Sequence, residues 1–73
     1  MTEWREQLIA RGSDTKAVFF VDMYREKRFV VEIIGPDFES SEWEFETREE
    51  ARSLFDNVAK IIKAEPEIQI VEV

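Results

Sequence analysis

Two apolar runs flank a short charged break between residues 17 and 34, and they constrain the fold of this chain more than any other feature. The first run is Ala17-Val18-Phe19-Phe20-Val21-Asp22-Met23-Tyr24 and the second is Phe29-Val30-Val31-Glu32-Ile33-Ile34. Arg25, Glu26, Lys27 and Arg28 lie between them. β-Branched and aromatic runs joined by a tight polar connection read as a β-hairpin. A three-residue connection, Arg25-Glu26-Lys27, sets Met23 opposite Phe29, Val21 opposite Val31 and Phe19 opposite Ile33, with Lys27 taking the left-handed position where glycine is usual. One face then holds Ala17, Phe19, Val21, Met23, Phe29, Val31 and Ile33. The other holds Val18, Phe20, Asp22 and Tyr24 opposite Ile34, Glu32, Val30 and Arg28. A shift by one residue would put Val21 against Glu32 and spoil both faces.

The segments around the hairpin supply what it must pack against. Gly35-Pro36-Asp37 reads as a turn. Glu42-Trp43-Glu44-Phe45-Glu46 alternates strictly, as a half-buried strand does, with Trp43 and Phe45 inward. Thr47 with Glu50 makes a capping box. Ala51, Leu54, Phe55, Val58, Ile61 and Ile62 then follow at helical spacing, which predicts an amphipathic helix over about 48–64 stopped by Pro66. Asp56 and Lys60 form an i, i+4 pair on its outer side, and Lys60 and Lys63 complement its C-terminal dipole. Ile68-Gln69-Ile70-Val71-Glu72-Val73 is a last strand with apolar residues at both parities. Thr2 as a cap, the Trp4/Leu8 pair and Gly12 as a stop favour a short N-terminal helix over about 3–11. The competing strand alternates Trp4, Glu6, Leu8 and Ala10 against Arg5, Gln7 and Ile9. Gly12-Ser13-Asp14 makes the turn that follows.

These elements predict a single α+β domain over 1–73. It has a mainly antiparallel four-stranded sheet with the long helix on one face. Counted from the hairpin, the strand order is 3-2-1-4. The crossover helix gives the last strand the same direction as the third, and it pairs in parallel with the first. With Met1 at the start and a strand at the end, the chain reads as a complete small protein.

The helix can cover only one face of the hairpin. Val18, Phe20, Val30 and Ile34 remain on the other, around Asp22 and Glu32. A large apolar side chain gains about 1.5–3 kcal/mol on full burial, so four left in water forfeit an amount comparable to the stability of a small domain. These four residues, with Trp4, are therefore the candidate apolar contact face, covered by the N-terminal segment, a second copy or a foreign partner.

Composition narrows the chemistry. Among 73 residues there is no cysteine and no histidine, which removes disulfides, thiolate sites and the usual catalytic base. No metal or cofactor is expected. A net charge of −7 opposes direct binding to nucleic acid or to anionic membranes. No apolar run nears the ~18 residues that span a bilayer, and no leader pattern opens the chain, so a cytoplasmic protein is expected.

A candidate acidic strip runs through Glu39, Glu42, Glu44, Glu46 and Glu49, with Asp37 and Glu50 beside it. Glutamates two apart on a strand lie about 6.6–6.8 Å apart, near the spacing of phosphates along DNA. The plainer account is edge protection and helix N-terminal charge. Metal binding by the same carboxylates lacks the spacing of a calcium loop. Asp22 and Glu32, if buried together, would make a coupled carboxylate pair suited to acid–base work; pairing with Arg25 or Arg28 is the ordinary alternative. The basic hairpin tip beside Tyr24 is interrupted by Glu26 and reads as a polar turn. The sequence thus favours a small acidic non-enzymatic interaction protein acting through an apolar sheet face or as a homodimer. An acidic inhibitor occupying a basic groove is second, and a carboxylate-dependent enzyme third.

Overall fold

The structure, a computed structural model, describes residues 4–23, 28–37 and 39–72. Five strands and one helix follow in the order β1 (Trp4–Arg11), β2 (Lys16–Asp22), β3 (Arg28–Ile34), β4 (Ser40–Phe45), α1 (Arg48–Ile61) and β5 (Glu67–Glu72). They build one antiparallel sheet in the order β4-β3-β2-β1-β5. The α+β class stands; among the described residues there is one strand more than the sequence suggested, and β1 takes the place of the N-terminal helix.

The expected helix over 3–11 is corrected to β1. The Trp4/Leu8 pair fits either period, since residues four apart share a face in a strand as in a helix. Pairing decides between them. As a strand, the segment lies between β2 and β5 and gives hydrogen-bonding edges to both. It also buries Ala10 on one face and Ile9 on the other. The expected order 3-2-1-4 changes for the same reason. The last strand docks antiparallel on β1, not parallel on the first hairpin strand. It still runs in the same direction as β4, at the opposite edge of the sheet.

The hairpin register moves by two residues. Val21 faces Phe29, Phe19 faces Val31 and Asp22 faces Arg28. On the tip side β2 ends at Asp22, two residues before the expected Tyr24, while β3 begins at Arg28 as expected. A two-residue shift conserves side-chain parity, so the residues of β2 and β3 keep their predicted faces, whereas Met23, expected on the inner face, lies beyond β2 and is exposed. Tyr24, Arg25, Glu26 and Lys27, including the left-handed backbone expected at Lys27, fall outside the described residues.

The core lies between α1 and one face of the sheet. Ala51, Phe55 and Ala59 form the buried stripe of the helix, and Ala10, Ala17, Phe19 and Val31 meet it from the strands. The ring centroids of Phe19 and Phe55 are 6.3 Å apart and inclined at 55°, a favourable aromatic geometry. Alanines on both sides of Phe55 let the helix lie close to the sheet. Ile61, expected inside, lies about 120° around the helix from Phe55 and is 78% exposed.

Both ends of α1 are closed by local chemistry. The Glu50 backbone N–H donates to Thr47 Oγ1 at 3.3 Å, and the Thr47 hydroxyl donates to Glu50 Oε1 at 2.9 Å. At the other end, the Ala64 N–H donates to the Ala59 carbonyl at 3.0 Å and the Lys63 N–H to that of Lys60 at 3.2 Å. This is a Schellman closure, with Lys63 at φ 56° in the position that glycine usually fills. The helix therefore ends before the predicted 64. The helix end also touches the β1–β2 turn. A Cβ added at Gly12 would come within 3.1 Å of Ile62 Cβ and 3.0 Å of the Thr15 carbonyl oxygen. Asp56 pairs with Arg52 at 3.5 Å, on the preceding turn, rather than with Lys60.

Candidate interaction surface

Strand alternation divides the side chains of the sheet between two faces. The face away from α1 carries Arg5, Gln7 and Ile9 from β1, Val18 and Phe20 from β2, Val30, Glu32 and Ile34 from β3, and Glu42 and Glu44 from β4. Val18, Phe20, Val30 and Ile34 therefore do share one face, as the sequence predicts. Trp4 does not join them; it points to the helix side, in line with Leu8. Within the single chain Val18 and Val30 are already buried, and Phe20 and Ile34 are half-buried.

Polar and charged groups border this face. The Arg5 guanidinium lies 3.9 Å from the centroid of the Phe20 ring, a close cation–π contact. Arg5 Nη2 donates to Gln7 Oε1 at 3.0 Å, and Gln7 Nε2 donates to Gln69 Oε1 at 2.8 Å. Gln7 is the buried polar side chain of the sheet, and this relay satisfies it.

The helix side is less complete. α1 packs on β2, β3 and β4, reaches β1 only around Ala10, and leaves β5 and the Trp4 end of β1 open. Trp4, Ile68 and Ile70 stand there 64%, 66% and 65% exposed. Register places them together. Leu8 faces Ile68 and Glu6 faces Ile70, with Trp4 next along β1. A groove of about 380 Å³ separates this flank from the helix, bounded by Glu6, Leu8, Phe19, Arg48, Arg52 and Ile68. Arg48 lies 5.3 Å from the Phe29 centroid and 5.8 Å from that of Phe19, and Arg52 lies 6.0 Å from Phe19. The two guanidinium groups thus line the helix wall of the groove over aromatic ground.

Ile68 and Ile70 were not singled out from the sequence. The signal was there: a terminal strand apolar at both parities must expose one side unless a layer covers each.

The acidic strip splits across the sheet. Glu42 and Glu44 project from β4 on the face away from the helix, and Glu42 stands directly opposite Glu32. Glu39 lies before β4 and Glu49 in the first turn of α1, all exposed. Glu46 pairs with Arg28 at 3.6 Å. Among the described residues, no three carboxylates are grouped closely enough to hold a metal ion.

Asp22 and Glu32 are not brought together as the sequence suggested. Asp22 faces Arg28, and Glu32 faces Val18 and Glu42. The two-residue register shift separates them to four positions along the hairpin, roughly 13 Å at the rise of a strand. Among the described residues, no helix is long and apolar enough to cross a membrane. No known protein family, curated protein or solved structure matches this chain.

Proposed function

We propose that this chain is a small acidic interaction protein, without catalytic activity of its own, that acts through the apolar flank of β1 and β5. The observation that carries this reading is the exposed group Ile68, Ile70 and Trp4, with Trp4 diagonal to Ile70 across the β1–β5 pair, beyond the part of the sheet that the helix covers. Large apolar side chains grouped at a surface mark contact sites far more often than the same residues scattered singly. The face proposed from the sequence is the weaker contact surface, because Val18 and Val30 are already buried and Arg5 covers Phe20.

The test is affinity capture with the tagged chain, wild type beside Trp4→Lys and Ile68→Lys, with bound proteins identified by mass spectrometry. Both sites are mostly exposed, so thermal melts should show intact folding. The expected result is an association that moderate salt does not weaken and that both variants lose. Equal recovery with wild type and variants would overturn the reading.

Occupation of a basic groove by an acidic face is the second reading, favoured by the alignment of Glu42 and Glu44 beside Glu32 on one side of the sheet. It predicts a partner released by moderate salt and lost on Glu42→Lys, with Ile68→Lys harmless.

A further inference from the structure

We propose that the flank of β1 and β5 receives a second copy of this chain. Two β5 strands pair antiparallel about a two-fold axis at Gln69 and join the two sheets into one of ten strands. This deepens the reading above and rests on it.

The two edges of the sheet differ in how they are defended. β4 carries Glu42 and Glu44 inside the strand, with Glu46 just beyond. Charges within an edge strand discourage pairing with another chain. β5 holds its charges only at its ends, Glu67 and Glu72, and between them runs Ile68-Gln69-Ile70-Val71 with no proline. It is the undefended edge, and the exposed apolar group lies beside it.

The order of residues in β5 selects a second copy and a single register. A symmetric antiparallel pair places the axis at one residue, which then faces itself. With the axis at Gln69, Ile68 of each copy faces Ile70 of the other, Glu67 faces Val71, and Glu72 falls opposite Pro66 beyond the strand. No carboxylate faces a carboxylate. Four isoleucines then meet on the helix side, flanked by Trp4 of each copy. Either axis sets one carboxylate of each copy against an apolar residue, but with the axis at Ile70 that residue is Ile68 on the exposed apolar side, only the two Ile70 side chains still meet, and each Gln69 faces Val71 in place of its twin.

The polar face agrees with the same axis. Gln69 Oε1 accepts from Gln7 and keeps a second lone pair, and its amide group carries two N–H donors. Opposite its twin, each Gln69 can donate to the other. The relay from Arg5 through Gln7 to Gln69 then continues across the axis to the second Arg5. An interface of one strand and a few side chains is small, so the dimer should be weak, with a dissociation constant on the order of micromolar. Each copy carries a charge of −7, so moderate salt should tighten the dimer by screening their repulsion.

Sedimentation equilibrium of the full chain tests this, across a wide range of protein concentration at low and moderate salt. The expected result is a monomer–dimer equilibrium that salt strengthens and that Ile70→Lys weakens at least tenfold, with an unchanged melt. Cysteine variants test the axis, since the chain has no cysteine of its own. Gln69→Cys should give a covalent dimer under mild oxidation. Glu72→Cys should not, because three positions from the axis leave the two copies of that residue about 20 Å apart.

A chain that stays monomeric at every concentration and salt, or that crosslinks equally through both cysteine variants, would overturn self-pairing. So would a dimer indifferent to Ile70→Lys. If Gln69→Cys fails to fold, the Ile70→Lys sedimentation result decides alone. A monomeric chain that nevertheless binds a foreign protein, lost on Ile68→Lys, would overturn self-pairing and leave the contact-surface reading standing.

Discussion

Lys63 holds the left-handed corner that closes α1, and replacing it with glycine should make the protein more stable. The backbone there has φ 56°, where a side chain's Cβ crowds the following carbonyl at a cost of roughly 1–2 kcal/mol. Lys63→Gly removes that cost. Against it stands the larger backbone freedom of glycine in the unfolded chain, about 0.4–1 kcal/mol. The variant also loses a cation near the helix C-terminus, about 0.3 kcal/mol for an exposed group. The hydrogen bonds of the closure, from the N–H groups of Lys63 and Ala64, are main-chain and survive the change. The balance is a gain of about 0.5 kcal/mol, or about 2–4 °C in the melting midpoint for a domain this size.

Lys63→Ala is the necessary control. It removes the same charge and keeps the Cβ, so it should fall below wild type, with Lys63→Asn between the two. Thermal melts by circular dichroism, run together in one buffer, resolve these differences. If the glycine variant melts no higher than the alanine variant, backbone strain at Lys63 is not what limits the helix end, and the reasoning fails.

Further substitutions probe other joints of the fold. Thr47→Ala removes the cap of α1 and its bonds to Glu50, and urea titration should show a loss of about 1 kcal/mol. Gly12→Ala drives a methyl group to 3.1 Å from Ile62 Cβ and 3.0 Å from a backbone carbonyl oxygen. Calorimetry should show about 1–3 kcal/mol of destabilisation, whereas Gly35→Ala, whose added Cβ would meet nothing closer than 3.8 Å, should lose far less. Phe55→Ala empties the centre of the core, where Phe55 is fully buried against Phe19. A loss of about 3–5 kcal/mol is expected, enough to leave a substantial unfolded population at ordinary temperature by circular dichroism.

Much of the fold is written in local patterns. The capping box at Thr47 and Glu50, the period of Ala51 and Phe55, and the alternation of Glu42 to Phe45 each specify their element without help from the rest of the chain. Face assignment in the hairpin is equally legible because period two survives a slip of two residues. The register itself is not, since Phe19 packs as well opposite Val31 as opposite Ile33 in any pattern of apolar letters. β1 was misread because Trp4, Leu8 and Gly12 satisfy helix signals locally, while what makes them a strand is the pair of neighbours, β2 and β5, brought up from elsewhere in the chain. The contact surface was hidden for the same reason. Ile68 and Ile70 look like core until it is known that α1 lies over β2, β3 and β4 and stops short of them.

Gln7 and Gln69 meet from 62 positions apart, and a pairing of that separation closes late in folding. β1 to β4 form successive antiparallel neighbours, so they can pair through short connections without the rest of the chain. β5 follows the helix in the chain, and until it docks the outer rim of β1 is bare. Until β5 docks, the meander of β1 to β4 presents an open seam along β1, and this is the interval in which the protein is most vulnerable to mispairing.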